Sequence, residues 1–354
     1  MRYKLLGRTG LRVSEAALGT ATFGTAWGWG AEEKEARKIF NRYAEAGGNF
    51  LDCADGYQNS ESESLIGGFL ETDRDHFVVS TKYGGGPGRT HSVSKTGASR
   101  KNMLRSLEKS LRRLRTDRVD IFQVHFDDGV TPVEEILRGF EDVVSAGKAL
   151  YAGFSNFPAW RIARAATLAE ATHGPSVACI QAEYSLAERS IERELLPMAE
   201  GLEIGVMAWA ALGGGLLSGK YRKQENADSR MSKGGGRVLK EAGPRETAIL
   251  DAVEAVAKET GASAAQVALG WVRAQNAKRK ASIIPIIGAR TLEQLEENLA
   301  AFAMTLDETH VQRLDAASAI VLGYPHDWLA SDLVRNLGSA GHADEIDEPG
   351  YPVA

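Results

Sequence analysis

Cysteine is nearly absent from this chain: only Cys53 and Cys179 occur in 354 residues. Oxidised scaffolds show paired frameworks, so a disulfide-built secreted fold is excluded and both thiols read as reduced core residues. No segment approaches the ~18 apolar residues of a membrane span, and the opening "MRYKLLGRTGLRV" carries no long apolar stretch. A net charge of −5 offers no general attraction for nucleic acid or an anionic membrane. The seven histidines are scattered without ligand spacing, which argues against a metal centre. G-x-G-x-x-G is missing, so a Rossmann dinucleotide fold would lack its phosphate turn. No linker or low-complexity stretch divides the chain. These absences leave a cytoplasmic enzyme-sized globule, with no nucleic-acid or membrane partner, as the expectation.

What is present is alternation. Short apolar runs, "SEAALG", "NFLDCA", "FVVSTK", "VDIFQVH", "ALYAGFS", "VACIQAE", "IGVMAW" and "SIIPIIG", alternate with longer helical patterns. Several runs are apolar on both faces, as buried parallel strands are. Helices are expected over residues 32–46, 100–115, 132–146 and 159–171, the second with Leu104, Leu107, Leu111 and Leu114 on one stripe. Eight such units predict an α/β fold, a closed (β/α)8 TIM barrel forming a single domain over residues 1–354. "YKLLGRTGLRV" predicts an N-terminal β-hairpin closing the barrel bottom. Two long loops are expected on the C-terminal face: residues 212–244, and a tail from about 323 to 354.

Active sites of such barrels lie at the carboxyl ends of the strands. Those ends carry Asp52, Lys82 and His125, with Tyr57 five residues beyond Asp52. Each is unremarkable alone; together they form a proton-donating, oxygen-polarising set. A free phenol, with pKa ~10, is a weak acid unless a cation favours its phenolate. Lys82 can supply that cation, Asp52 can hold Lys82 charged, and His125 can donate to the same substrate oxygen. The chemistry suits carbonyl reduction by an external hydride, which the side chains cannot provide, so a nicotinamide cofactor is implied.

"DCADGY", "STK" and "QVH" resemble the Asp, Tyr, Lys, His tetrad of the aldo-keto reductase superfamily. "LGRTGLRVSEAALGTATFG", "SLRRLRTDRVDIFQVH", "GKALYAGFSNF", "IQAEYSL", "GGGLLSGKY" and "PIIGARTLEQLEEN" extend the resemblance over nearly the whole chain. It implies reduction of an aldehyde or ketone, a small-molecule carbonyl substrate, by NADPH. Tyr57 would be the proton donor, tuned by Asp52 and Lys82, with His125 completing the pocket. Ser155, Asn156 and Gln181 would hold the nicotinamide carboxamide, and Gly19 and Thr20 would approach the cofactor. Leu212, Gly214, Leu216, Ser218 and Lys220 match the loop over the pyrophosphate. Gly288, Arg290, Gln294, Glu297 and Asn298 match the adenosine 2′-phosphate site. The spacing predicts one helical face for Arg290, Gln294 and Asn298, and the guanidinium favours NADPH over NADH. In the tail, Tyr324, His326 and Trp328 are expected to line the substrate pocket. The chain departs from the common Tyr-Ser-Pro-Leu after the seventh strand, reading Trp209-Ala210-Ala211-Leu212. Trp209 is expected to stack on the nicotinamide and to narrow the space for substrate.

Other readings are weaker. "GGLLSGKY" has a P-loop core, but Tyr221 replaces the Mg²⁺-binding hydroxyl, and a loop from Arg222 replaces the expected helix. Asp127 and Asp128 beside His125 read as a solvated acidic turn rather than metal ligands. Cys53 faces away from Asp52, since adjacent strand residues point to opposite sides. From another functional class, some members of the superfamily resemble β subunits of potassium channels, which would make the chain an NADPH-binding regulatory partner module. The sequence shows no added partner-binding arm.

Overall fold

The computed structural model describes residues 1–85, 92–223, 241 and 243–347. Strand β1 (Tyr3–Leu5) pairs antiparallel with β2 (Arg12–Ser14), giving the expected hairpin. Eight strands follow: β3 (Ala17–Gly19), β4 (Phe50–Asp52), β5 (Val78–Tyr83), β6 (Val119–Val124), β7 (Ala149–Ser155), β8 (Val177–Glu183), β9 (Gly205–Trp209) and β10 (Ile283–Gly288). All pair in parallel and β10 closes on β3, so the fold is a (β/α)8 TIM barrel. Each expected strand is found. The first is shortened because Ser14 belongs to the hairpin, where its N–H donates to Asn49 Oδ1 at 2.7 Å.

Strand alternation divides the core in two. Ala17, Phe50, Val78, Ile121, Cys179, Met207 and Ile284 point inward and cluster with Leu6 and Val13 of the hairpin. Their neighbours Leu18, Leu51, Val79, Phe122, Ile180, Val206 and Ile283 point outward against the helices. The hairpin thus plugs the barrel from its N-terminal end. Gly153 faces inward too: a Cβ there would lie 2.8 Å from Cys179 Sγ, so only glycine leaves room.

The helices fall at Glu33–Glu45, Arg100–Leu114, Val133–Ser145 and Ala159–Ala171, close to expectation. Helix Arg100–Leu114 begins at Ser99, whose hydroxyl accepts from Asn102 N–H, and ends at left-handed Arg115. Its buried stripe is Met103, Leu107, Leu111 and Leu114, whereas Leu104 is 38% exposed. Leu104 lies ~100° around the helix from Met103, which turns it off the sheet-facing side. No helix among the described residues is long and apolar enough to cross a membrane.

Both expected long loops are described in part. In the first, a 3-10 turn spans Gly213–Ser218, and residues 224–240 and 242 lie outside the described residues. A one-turn helix covers Lys220–Lys223 where a loop was expected. Arg222 is tied there to Glu241 at 2.6 Å and Asp251 at 2.7 Å, which holds the turn against helix Pro244–Thr260. In the tail, residues 348–354 lie outside the described residues.

Candidate active site

The same alternation that makes an apolar floor raises a polar layer above it. Going up the inward positions, Phe50 gives way to Asp52, Val78 to Ser80 and Lys82, and Cys179 to Gln181. Lys82 is fully buried, with Nζ 2.8 Å from Asp52 Oδ1, 2.9 Å from Asp52 Oδ2 and 2.7 Å from the Cys53 carbonyl. The same ammonium donates to Tyr57 Oη at 3.1 Å. His125 sets its ring edge-on to Tyr57, 5.8 Å between centroids. The four sequence-predicted residues therefore meet at one rim, with Asp52 and Tyr57 both bonded to the Lys82 ammonium.

Electrostatics assign each a state. Burial works hardest on Lys82 and would lower its pKa, but Asp52 and Tyr57 together outweigh it, raising the pKa and keeping the amine charged. Burial and the Lys82 charge push His125 down to about 3, so its imidazole is neutral and offers one N–H. Tyr57 corrects an expectation. Burial, helped by the Asp52 charge, raises its pKa by more than Lys82 lowers it, so the phenol is a weaker acid than free tyrosine and keeps its proton. Lys82 limits that rise rather than reversing it. Burial also pushes the thiols of Cys53 and Cys179 up to about 12, leaving both inert.

The backbone after Tyr57 is unusual. Gln58, Asn59 and Ser60 have φ of 49°, 53° and 81°, three non-glycine residues in the left-handed region. Each such residue costs on the order of 1–3 kcal/mol and persists only where its surroundings dictate it. Here the fully buried Gln58 side chain dictates it: Oε1 accepts from Trp27 N–H at 2.9 Å, and Nε2 donates to Ala21 O and Trp29 O at 3.1 Å. Trp27 stands edge-on to Tyr57, 6.3 Å between centroids. Sequence reasoning passed over Trp27, Trp29 and Gln58. The available signal was "AWGWG", two tryptophans in a glycine-rich loop following a strand end.

The residues expected around a cofactor lie on the same face. Gln181 Nε2 donates to Asp52 Oδ1 at 2.8 Å, tying it to the tetrad. Asn156, with φ of 55°, donates to His125 O at 2.9 Å and to Ser155 Oγ at 3.0 Å. Its Oδ1 accepts the indole N–H of Trp209 at 3.1 Å. Thr20 is buried beneath the site and donates from both N–H and Oγ1 to Asp52 O at 3.0 Å. Gly19 packs so tightly that a Cβ would meet Ile286 at 2.7 Å. Leu212 and Gly214 belong to the turn after β9, Leu216 is buried in the core, Ser218 Oγ donates to Gly215 O at 2.7 Å, and Lys220 opens the one-turn helix.

At the end of β10 the expected single helical face is corrected. The helix is Leu292–Ala300, capped by Thr291, whose side chain accepts from Gln294 N–H. Arg290 therefore precedes the helix, in contact through its own N–H to Gln294 Oε1 at 2.9 Å. Asn298, one turn beyond Gln294, donates to Gly288 O at 3.2 Å, and Glu297 is exposed.

The donor set fits a dinucleotide. Amide side chains at 156 and 181 suit a carboxamide. Gly214 and Gly215, at φ of 66° and 101°, and Gly288, beside which a Cβ would meet nothing within 4 Å, offer bare backbone for a diphosphate. Arg290 supplies a guanidinium for a phosphate.

The tail and the acidic turn find other side-chain partners. His326 pairs with Glu194 at 3.0 Å, and Tyr324, 85% exposed, packs on Trp328. Among the described residues, none of the three has a hydrogen bond, ion pair or ring contact with the tetrad. Asp127 and Asp128 are not simply solvated. Asp127 pairs with Arg161, and Asp128 accepts from Ala98 N–H at 2.8 Å and Thr131 N–H at 2.8 Å.

A barrel with this rim is the frame of an oxidoreductase. The sequence model of the Aldo/keto reductase family matches residues 16–319, and the chain belongs to that family. It is 36% identical over 329 residues to an uncharacterized oxidoreductase of Bacillus subtilis, covering 89% of this chain and 95% of the relative. A putative aryl-alcohol dehydrogenase of Saccharomyces cerevisiae is 31% identical over 348 residues, 94% of this chain and 90% of its own. An aryl-alcohol dehydrogenase of Phanerodontia chrysosporium, named for NADP(+), is 33% identical over 358 residues, 95% of this chain and 91% of its own.

Proposed function

We propose that the chain is a single-domain reductase that converts an aldehyde or ketone to an alcohol at the expense of NADPH. One observation carries this reading: Lys82 Nζ lies 3.1 Å from Tyr57 Oη and 2.8 Å from Asp52. When bound, the reduced dinucleotide supplies the hydride that the protein lacks. Tyr57 gives its proton to the carbonyl oxygen as the C–H bond forms, so the C=O gains one hydride and one proton. The phenolate left behind is held by the Lys82 ammonium until solvent returns a proton. Neutral His125 donates its N–H to the same oxygen and orients it. Asp52 keeps Lys82 charged throughout.

Ser155, Asn156 and Gln181 bind the carboxamide end, the turn at 212–220 covers the diphosphate, and Arg290, Gln294, Glu297 and Asn298 take the adenosine end. Gly19 and Thr20 shape the wall beneath. Trp209 is oriented by Asn156 to lie against the nicotinamide face. The names of two relatives speak of aryl alcohols, which makes aromatic aldehydes the first substrates to try. Tyr324, His326 and Trp328, which have no hydrogen bond or ring contact with the tetrad among the described residues, are assigned to the outer lip of the pocket. NADPH consumption, followed by absorbance against a panel of aldehydes and ketones, tests the reading. Tight NADPH binding without turnover of any carbonyl would overturn it and leave the partner-module alternative.

A further inference from the structure

Two residues before Tyr57 stands a carboxylic acid in surroundings that suit a neutral group. Asp55 is 2% exposed, and its Oδ1 has no hydrogen-bond partner among the described residues. Its main chain joins two members of the tetrad. Asp55 N–H donates to Lys82 O at 3.0 Å. Asp55 O accepts the Ser60 hydroxyl at 2.8 Å, which closes the turn 55–60 around Tyr57. The far side of that turn, from Gln58 to Ser60, already lies in the left-handed region and is clamped by the Gln58 amide. A shift at residue 55 is therefore passed to Tyr57 rather than absorbed beyond it.

The charges acting on the Asp55 side chain come from two helices: Glu63 of Glu61–Leu70, and Arg113 and Arg105 of Arg100–Leu114. On β5, Lys82 is committed to Asp52. Glu63 is fully buried and accepts from Thr81 Oγ1 at 2.5 Å, and it pairs with Arg113 at 2.6 Å. Arg105 spends Nη2 on Asn102 Oδ1 at 2.6 Å and Lys95 O at 3.0 Å. Its Nε is buried without a hydrogen-bond partner among the described residues. Burial first, then the Glu63 charge, pushes the Asp55 carboxyl up to about 7 against the pull of both arginines. Protonated, Asp55 adds no charge beside Glu63. Ionised, it is a buried anion with an unbonded oxygen, repelled by Glu63 and drawn toward the spare donor of Arg105.

We propose that Asp55 is the positioning residue of Tyr57: protonated, it holds the turn that sets the phenol against Lys82, and its ionisation pulls that turn away and stops proton transfer. The inference rests on the reductase reading above and adds a control to it. The resulting loss of activity belongs neither to Tyr57, whose phenol titrates above the free-tyrosine value, nor to His125, which is held down to about 3.

The test follows kcat at saturating NADPH, with the panel aldehyde or ketone that wild type reduces fastest, and NADPH affinity over the same pH range. From pH ~6 to pH ~8 wild-type kcat should fall about tenfold, the response of one proton. Asp55→Asn, isosteric with the protonated acid, should keep the ratio of the two rates near unity. Glu63→Gln removes the repelling charge and frees Arg113 to attract the carboxylate, so the fall should move to lower pH. NADPH affinity should not follow kcat in any of the three proteins. A merely structural role would change Tm and leave one pH dependence common to all three. No fall in wild type, the same fall in Asp55→Asn, or affinity lost in step with kcat overturns the proposal. Should Asp55→Asn fail to fold, Glu63→Gln decides: a fall moved to lower pH supports the proposal, and an unmoved one overturns it. Absence of turnover at every pH defeats the reductase reading and the inference with it, whereas turnover without the fall defeats the inference alone.

Discussion

Gln181 Nε2 donates to Asp52 Oδ1 at 2.8 Å, an oxygen that Lys82 Nζ also approaches at 2.8 Å. A side chain expected to serve the cofactor is thus also a support of the acid that charges the lysine. On the proposed reading, the cofactor wall and the tetrad meet at Asp52 Oδ1.

Replacing Gln181 with leucine should therefore disturb both. A hydrogen bond to a charged group contributes ~1.5–3 kcal/mol, so kcat should fall roughly ten- to a hundredfold as dinucleotide affinity also weakens. Steady-state kinetics with a fluorescence titration of NADPH checks this. A change in affinity alone would show that the Asp52 contact is incidental.

Tyr57→Phe removes the proton and leaves the ring contacts with Trp27 and His125 in place. Carbonyl reduction should fall on the order of 10²–10⁴-fold, the usual range for losing a general acid. NADPH binding should stay close to wild type. Near-normal turnover would move the proton donor elsewhere.

Arg290→Ala should weaken NADPH more than NADH, because a charge-assisted bond to phosphate is lost only with the former. A tenfold or larger gap between the two changes in Kd is expected. Equal loss for both would remove the 2′-phosphate from this residue.

Two buried or half-buried acids should respond to pH in opposite directions. Burial works against the Asp128 carboxylate, but its bonds from Ala98, Val130 and Thr131 outweigh that and bring it from 3.8 to about 2. Its contribution is present above pH ~4 and is lost as pH falls toward 2, so Asp128→Asn should lower Tm at neutral pH and matter little in acid. Asp55, whose Oδ1 has no hydrogen-bond partner among the described residues, is pushed by burial from 3.8 to about 7. The folded state then holds a proton that the unfolded chain has released, and stability declines as pH rises between those values. Asp55→Asn should raise Tm relative to wild type by an amount that grows from pH 4 to pH 7. Thermal unfolding across pH reads both.

The barrel was legible in the sequence because parallel strands leave apolar runs and amphipathic helices leave stripes. Asp52, Lys82 and His125 were legible because strand ends converge by topology. Three features were not. The cap at Thr291 breaks the apparent four-residue repeat from Arg290, since spacing alone does not reveal where a helix begins. The net pKa of Tyr57 depends on how much water burial removes, which no motif encodes. Gln58 was invisible because its partners lie ~30 residues upstream and the sign of φ leaves no trace in residue type.

The hairpin at the N-terminal end has a consequence for traffic. Among the described residues, Leu6 and Val13 pack against Phe50, Ile121 and Met207 and close the barrel floor beneath Lys82. On the proposed reading, protons, reactant and product would share the open side of the rim, where Trp27 and Phe126 are exposed. Any occupant lodged there would halt the renewal of the phenol along with the exchange of its guests.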